Sequence, residues 1–421
     1  MSLLALLLAA AASTTAPSPT PADDPFAAAQ RALLAHDLET AKRDLLAGLD
    51  ADPTRVDAMD DLANVCFLQK DDDGAASWYA KALARKPDDA HALNGSAILR
   101  LQAGDLDGAV DLFVRAAKAD PADPLPIDNL GDTALAVGDA QNAATYFEVA
   151  RKVDPGDAHA AVALAELRVA EGPQQADDAI AMLKPVLASH PDDAAAKAAM
   201  GKALATKGRW SDAIGFLDDA AKAMPRDPAV HYALGIALMN AGRLPDAADA
   251  FLAALDVDDA DPRLHLELGV VYYEMHDARL VSYASQEFHH TLDRNPAPAD
   301  RASADYHLGL IEDDAGRLDK ALGWYHEALK SDPNHVGALN DSGLILVRRG
   351  KPADAVPLYQ RALAAQSDFS PARLNLAQAW LKLGRKEDAL RELDKLASLP
   401  DGDPIKQRAA SLRKDAAASS P

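Results

Sequence analysis

The chain is 421 residues long, with 65 Asp and Glu against 43 Lys and Arg, a formal net charge of −22 and 5% aromatic residues. A surface this acidic repels phosphate backbones, so nucleic acid is not an expected partner. No run of about eighteen apolar residues occurs, so no transmembrane segment is expected, and the single cysteine, Cys66, excludes an internal disulfide framework and reads as an inert packing residue.

Residues 3–12 form a short apolar run, followed by small residues and then Ala16-Pro-Ser-Pro-Thr-Pro21. The run resembles a secretory signal peptide, with Ala10-Ala11-Ala12 or Thr14-Thr15-Ala16 as the small-x-small cleavage site. It lacks a basic n-region, since the first basic residue is Arg31, and no Cys follows that would take a lipid anchor. Residues 1–21 are therefore expected to be a signal peptide and a Pro/Ser/Thr spacer. The expected location is periplasmic or secreted, with a cytoplasmic one as the alternative.

From residue 22 the chain repeats. The unit at 302–335 shows the pattern: Asp305, Leu308, Gly309 and Glu312 share one helical stripe, Gly316 supplies a left-handed stop, and Ala321, Tyr325 and Ala328 form one face of a second helix. Asp332-Pro333 ends that helix. Ten further copies align on it, giving units 22–55, 56–89, 90–123, 124–157, 158–193, 194–227, 228–261, 262–298, 302–335, 336–369 and 370–403. Ala opens the second packing face in all eleven, at 41, 75, 109, 143, 179, 213, 247, 284, 321, 355 and 389. A larger side chain there would hold the two helices apart.

Leu-Gly at 130–131, 234–235, 268–269 and 308–309, an aromatic or Leu four residues after each Ala, and a closing Pro in eight units together resemble the tetratricopeptide repeat. The resemblance covers nearly all of 22–403 and implies an all-α fold: a right-handed superhelical solenoid of helix-turn-helix repeats. Unit five carries two extra residues around Gly172 and places Pro185 inside its second helix, where a kink is expected. Unit eight carries three extra residues around His276–Arg279, and three more precede unit nine. Residues 404–421, with Ile405, Ala409, Leu412 and Ala416 on one stripe, read as the capping helix that such a stack requires.

Little in the sequence carries chemistry. There is no Gly-x-Ser-x-Gly, phosphate loop or glycine-rich dinucleotide turn. His289-His290, with His276 earlier, is the one His cluster visible in the sequence. Adjacent helical residues point about 100° apart, and no His-x3-His or Cys accompanies them, so they read as surface histidines with no metal expected. His91, His159, His231, His265 and His335 stand near the starts of first helices and need no ligand role. No catalysis and no cofactor are expected.

Charge is uneven: residues 22–157 hold 26 acidic against 13 basic side chains, while 336–421 hold 10 against 14. The family resemblance implies that first helices line the concave side. Its inward offsets would present Asp57, Asp60, Asp128, Asp132 and Glu166 in the early units, an acidic stretch that reads either as a solubilising surface or as one steering a basic partner. Units seven to nine would present Tyr232, Ile236, Met239, Leu266, Val270, Tyr273, Tyr306 and Leu310, an apolar run of the size that marks a binding site, unless some of these side chains pack between adjacent units. Lys202 and Arg263 are the inward basic residues at these offsets, so the carboxylate clamp of chaperone-binding members is not expected. These features imply a non-catalytic scaffold that binds other proteins or peptide segments in its groove. The alternative is a bridging component of an envelope polymer-export or pilus system that docks through its outer surface.

Overall fold

The computed structural model describes residues 24–418; the apolar segment at 3–12 and the spacer after it lie outside them. Among the described residues there are twenty-three α-helices and one short 3-10 turn, with no strand. The first twenty-two helices form eleven consecutive hairpins, from Pro25–Leu34 with Leu38–Ala51 to Ser370–Lys382 with Lys386–Lys395, and Pro404–Ala418 follows. None of these helices is long and apolar enough to cross a membrane.

Each hairpin is punctuated by the same local chemistry. Asp side chains accept backbone N–H groups at the starts of many helices, among them Asp37, Asp71, Asp89, Asp105, Asp139, Asp157, Asp193, Asp227 and Asp261. Such a cap satisfies one of the orphan donors of the first turn and sets a negative charge at the positive end of the helix. Between the two helices, one residue in every hairpin takes positive φ. It is glycine in eight hairpins, Gly316 (φ 72°) among them, and His36 (56°), Lys70 (63°) and His276 (51°) in the other three.

The core follows from the repeated alanines. All eleven are 0% exposed, and the residue four positions later is buried in every unit, as Tyr79, Phe113, Phe147, Phe251, Phe288, Tyr325 or Tyr359, or as Leu. The ring of Tyr325 lies against Gly309 so closely that a Cβ there would fall 2.4 Å from it, and Phe251 meets Gly235 in the same way at 2.6 Å. The Leu-Gly pair thus makes room for the aromatic of the facing helix.

The chain divides into two compact units, residues 1–223 and 224–421. Hairpins one to six occupy the first. Hairpins seven to eleven and the terminal helix occupy the second, where Ala409, Ile405 and Leu412 pack onto the cluster around Leu376, Trp380 and Leu393. The three residues before unit nine, 299–301, lie in the first helix of hairpin nine, Pro298–Asp314, which is lengthened to 17 residues. Pro185 sits inside Ala176–Ser189, which continues past it, as does Pro357 inside Pro352–Ala365.

Candidate binding face

In the second unit, the first helices of hairpins seven, eight and nine are Pro228–Asn240, Pro262–Glu274 and Pro298–Asp314. Tyr232, Ile236 and Met239 recur at i, i+4, i+7 on the first of these, and all three are half-buried. Val270 and Tyr273 on the second, and Leu310 on the third, are half-buried too. The Tyr273 hydroxyl donates to Asp314 at 2.7 Å, across one hairpin boundary, in an exposed position. The Arg263 guanidinium lies 5.6 Å from the centre of the Tyr232 ring and is itself paired with Asp261 at 2.6 Å. Carboxylates are interspersed: burial, and then the charges of Asp300 and Glu274, push Glu267 up to about 7.

Two of the expected face residues have other duties. Leu266 is 5% exposed and belongs to the core with Phe288 and Leu308. Tyr306 packs between hairpins: its ring leans on Gly337, where a Cβ would fall 2.7 Å away, stacks beside Tyr325 and His335, and its hydroxyl donates to Asp341 at 2.8 Å. It is a packing residue before it is a contact residue. Removing it would open a cavity at a hairpin boundary.

The acidic set is corrected further. Asp60 and Asp128 are buried, at 6% and 3% exposure. Burial, joined by the neighbouring carboxylates Asp89 and Asp157, pushes each up to about 9. Both are therefore neutral acids at pH 7 and steer nothing. At the offset expected to face inward, these two side chains meet the N-cap aspartate of the next hairpin instead. Of the rest, Asp57 is bound by Arg55 at 2.5 Å, Asp132 by His159 at 3.0 Å, and Glu166 by Lys202 at 2.8 Å. The Asp132 hydrogen bond, more than the opposing burial, raises the His159 imidazole above its ordinary value. What remains is a set of locally compensated pairs.

The sequence reading missed a polar seam between consecutive first helices. Asn129 donates to Asn94 at 2.9 Å, both buried, and Asn375 donates to Asn340 at 2.9 Å. A 35-residue spacing of polar side chains on the buried stripe is the signal that could have revealed it.

Models of the tetratricopeptide repeat match this chain at residues 26–90, 79–124 and 284–336, and at 134–203, 170–236, 204–268 and 346–410. Over 95 residues the chain is 33% identical to the photosystem I assembly protein Ycf3 of Acaryochloris marina, covering 20% of this chain and 57% of that protein. Over 101 residues it is 31% identical to DnaJ homolog subfamily C member 3 of Mus musculus, covering 24% of this chain and 20% of that one. The chain thus spans little more than half of the first relative and a fifth of the second. Among solved structures, the APC/C hetero-tetramer Cut9–Hcn1 aligns over 93% of this chain and 96% of that one, at 12% identity and a TM-score of 0.49.

Proposed function

Because the chain belongs to the tetratricopeptide repeat family, we propose that it is a non-catalytic scaffold whose first-helix face in hairpins seven to nine holds a partner polypeptide segment. The observation that carries this is the run of half-exposed apolar side chains on successive first helices: Tyr232, Ile236 and Met239, then Val270 and Tyr273, then Leu310. Carboxylates at Glu274, Asp300 and Asp314 border it, so the segment that fits best carries apolar residues flanked by Lys or Arg. Aromatic and Met side chains that stay partly open on a rigid helical frame are typical anchors for such a segment.

Selection from a displayed random-peptide library tests the chemistry directly. Enrichment of apolar residues with basic flanks, competed by soluble peptide of the same sequence, supports the reading. Enrichment of acidic peptides, or of peptides that bind hairpins one to six alone, removes it.

Export is part of the same proposal and rests on the apolar run at 3–12 and the Pro/Ser/Thr spacer after it. The mature N-terminus is expected near residues 16–21 in an envelope or secreted fraction. Mass spectrometry of protein from its native cell decides this, and an intact Met1 or Ser2 start in cytoplasm would refute it.

A further inference from the structure

Hairpin eight carries a constellation that the sequence reading set aside. His265 stands on its first helix, Pro262–Glu274; Glu287 and His290 stand at i, i+3 on its second, Val281–Asp293. His265 Nδ1 lies 2.6 Å from Glu287 Oε2, and His290 Nδ1 lies 3.6 Å from that same oxygen. One ligand atom from each residue lies within 4.8 Å of the other two. His276 and His289, the other members of the cluster read from sequence, are directed elsewhere, against Tyr273 and Trp324 respectively.

The bland account of such a triad is an ion-pair network, and hairpin eleven shows what that network looks like. There Arg373 on the first helix holds Glu392 on the second at 2.7 Å, and Lys395, three residues on, holds the same carboxylate at 2.8 Å. Arg373, Glu392 and Lys395 occupy the repeat positions of His265, Glu287 and His290. Hairpin eight keeps the carboxylate and replaces both fixed cations by imidazoles. Arginine and lysine cannot ligate a metal in this protonated state, whereas imidazole can give up a proton and present a lone pair.

His265 is 6% exposed, and its Nε2 lies 3.1 Å from the Asp259 carbonyl oxygen. A carbonyl can only accept, so Nε2 donates to it, and the 2.6 Å contact of Nδ1 with Glu287 holds a second proton between those two atoms. Once that proton leaves, the carbonyl keeps the hydrogen on Nε2 and Nδ1 presents the lone pair, the arrangement usual for metal-binding histidines. Arg294 donates to the same carbonyl at 2.6 Å and holds the loop in position. His290 is about half exposed, which leaves an approach from solvent.

We propose that His265 Nδ1, Glu287 and His290 Nδ1 bind a divalent transition-metal ion of the zinc class, with water completing the coordination. Two imidazoles and a carboxylate suit such an ion, and tetrahedral bonds of about 2.0–2.1 Å place donor atoms about 3.3 Å apart, against 2.6 and 3.6 Å from Glu287 to the two imidazoles and no more than 4.8 Å between any two donors here. The ion takes the place of the proton shared between Nδ1 and the carboxylate, so that proton is released on binding. A bound ion would tie the two helices of hairpin eight together beside the proposed binding face, although the metal site does not depend on that face.

The test uses untagged full-length protein stripped with chelator and titrated with Zn(II), and with Co(II) as a spectroscopic probe. We expect one equivalent of Co(II) to give d–d absorption bands, and equimolar Zn(II) to abolish them. The replacement His265→Arg with His290→Lys copies hairpin eleven, so it should keep the circular dichroism of the wild type and lose the bands. His290→Ala, at an exposed position, should weaken binding at least tenfold without disturbing the fold. Absence of the bands in wild type, or equal metal uptake by wild type and either variant, overturns the assignment and leaves an ion-pair network.

Discussion

His36, Lys70 and His276 hold the left-handed position that glycine holds in the other eight hairpins. A side chain with a Cβ is strained there, by roughly 1–2 kcal/mol, and His36 and Lys70 are exposed, with no packing to lose. Replacing either by Gly should stabilise its hairpin by about 1 kcal/mol after the added backbone entropy of glycine is counted. Slower amide exchange across residues 32–41 or 66–75 would show it, and faster exchange would contradict it. Asp60 and Asp128 give a pH signature at the same scale. Each titrates near 3.8 when unfolded and is pushed up to about 9 in the fold. Between those values the native state holds a proton that the unfolded chain lacks, so these groups stabilise fully below about pH 4 and progressively less as pH rises toward 9. Asn at both positions keeps a neutral hydrogen-bonding side chain and removes that slope. The double variant should therefore exceed wild type at pH 8 by at least about 1 kcal/mol per site. Thermal melts at pH 5 and pH 8 check this, and parallel pH profiles for the two proteins would refute it.

At the scale of the helix, stability is a sum over hairpins and their boundaries. Ala247 is 0% exposed at the packing position of hairpin seven. Leu there overpacks the contact and should cost about 1–3 kcal/mol, with amide protection lost in hairpins seven and eight and retained in hairpins two to four. Truncation after residue 403 removes the helix that covers Leu376, Trp380 and Leu393, and hairpin eleven should then be the first to open on heating. Uniform loss of protection along the chain in either case would contradict a quasi-linear array. This scale is also where the sequence was most legible. Ala at one position in every unit, with a large residue four places on, can be satisfied only by close helix pairs. What was not legible is cross-hairpin geometry. Tyr306 and Tyr273 stand two helical turns apart in repeat register on successive first helices, and their surroundings differ: Gly337 leaves a recess for Tyr306, while Tyr273 reaches out to Asp314. His265 and Glu287 are 22 residues apart, and no linear spacing rule for metal ligands links them across a turn with three inserted residues.

For the molecule as a whole, the charge of −22 already counts every Lys and Arg against the acids, so ion pairing redistributes it without reducing it. Protonation of Asp60 and Asp128 takes away only two of those negative charges. On the proposed reading, the acidic residues that would bear on recognition are those bordering the half-exposed face of hairpins seven to nine, and their contribution should weaken with salt. On the proposed function, this face anchors a partner segment through Tyr273 and Met239. The most direct measurement is the affinity of a library-selected peptide for wild type and for the Tyr273→Ala, Met239→Ala variant, with melting temperatures recorded alongside. Loss of about 2 kcal/mol or more of binding, roughly thirtyfold, is predicted with little change in melting. Unchanged affinity would contradict the claim and move the binding surface elsewhere on the chain.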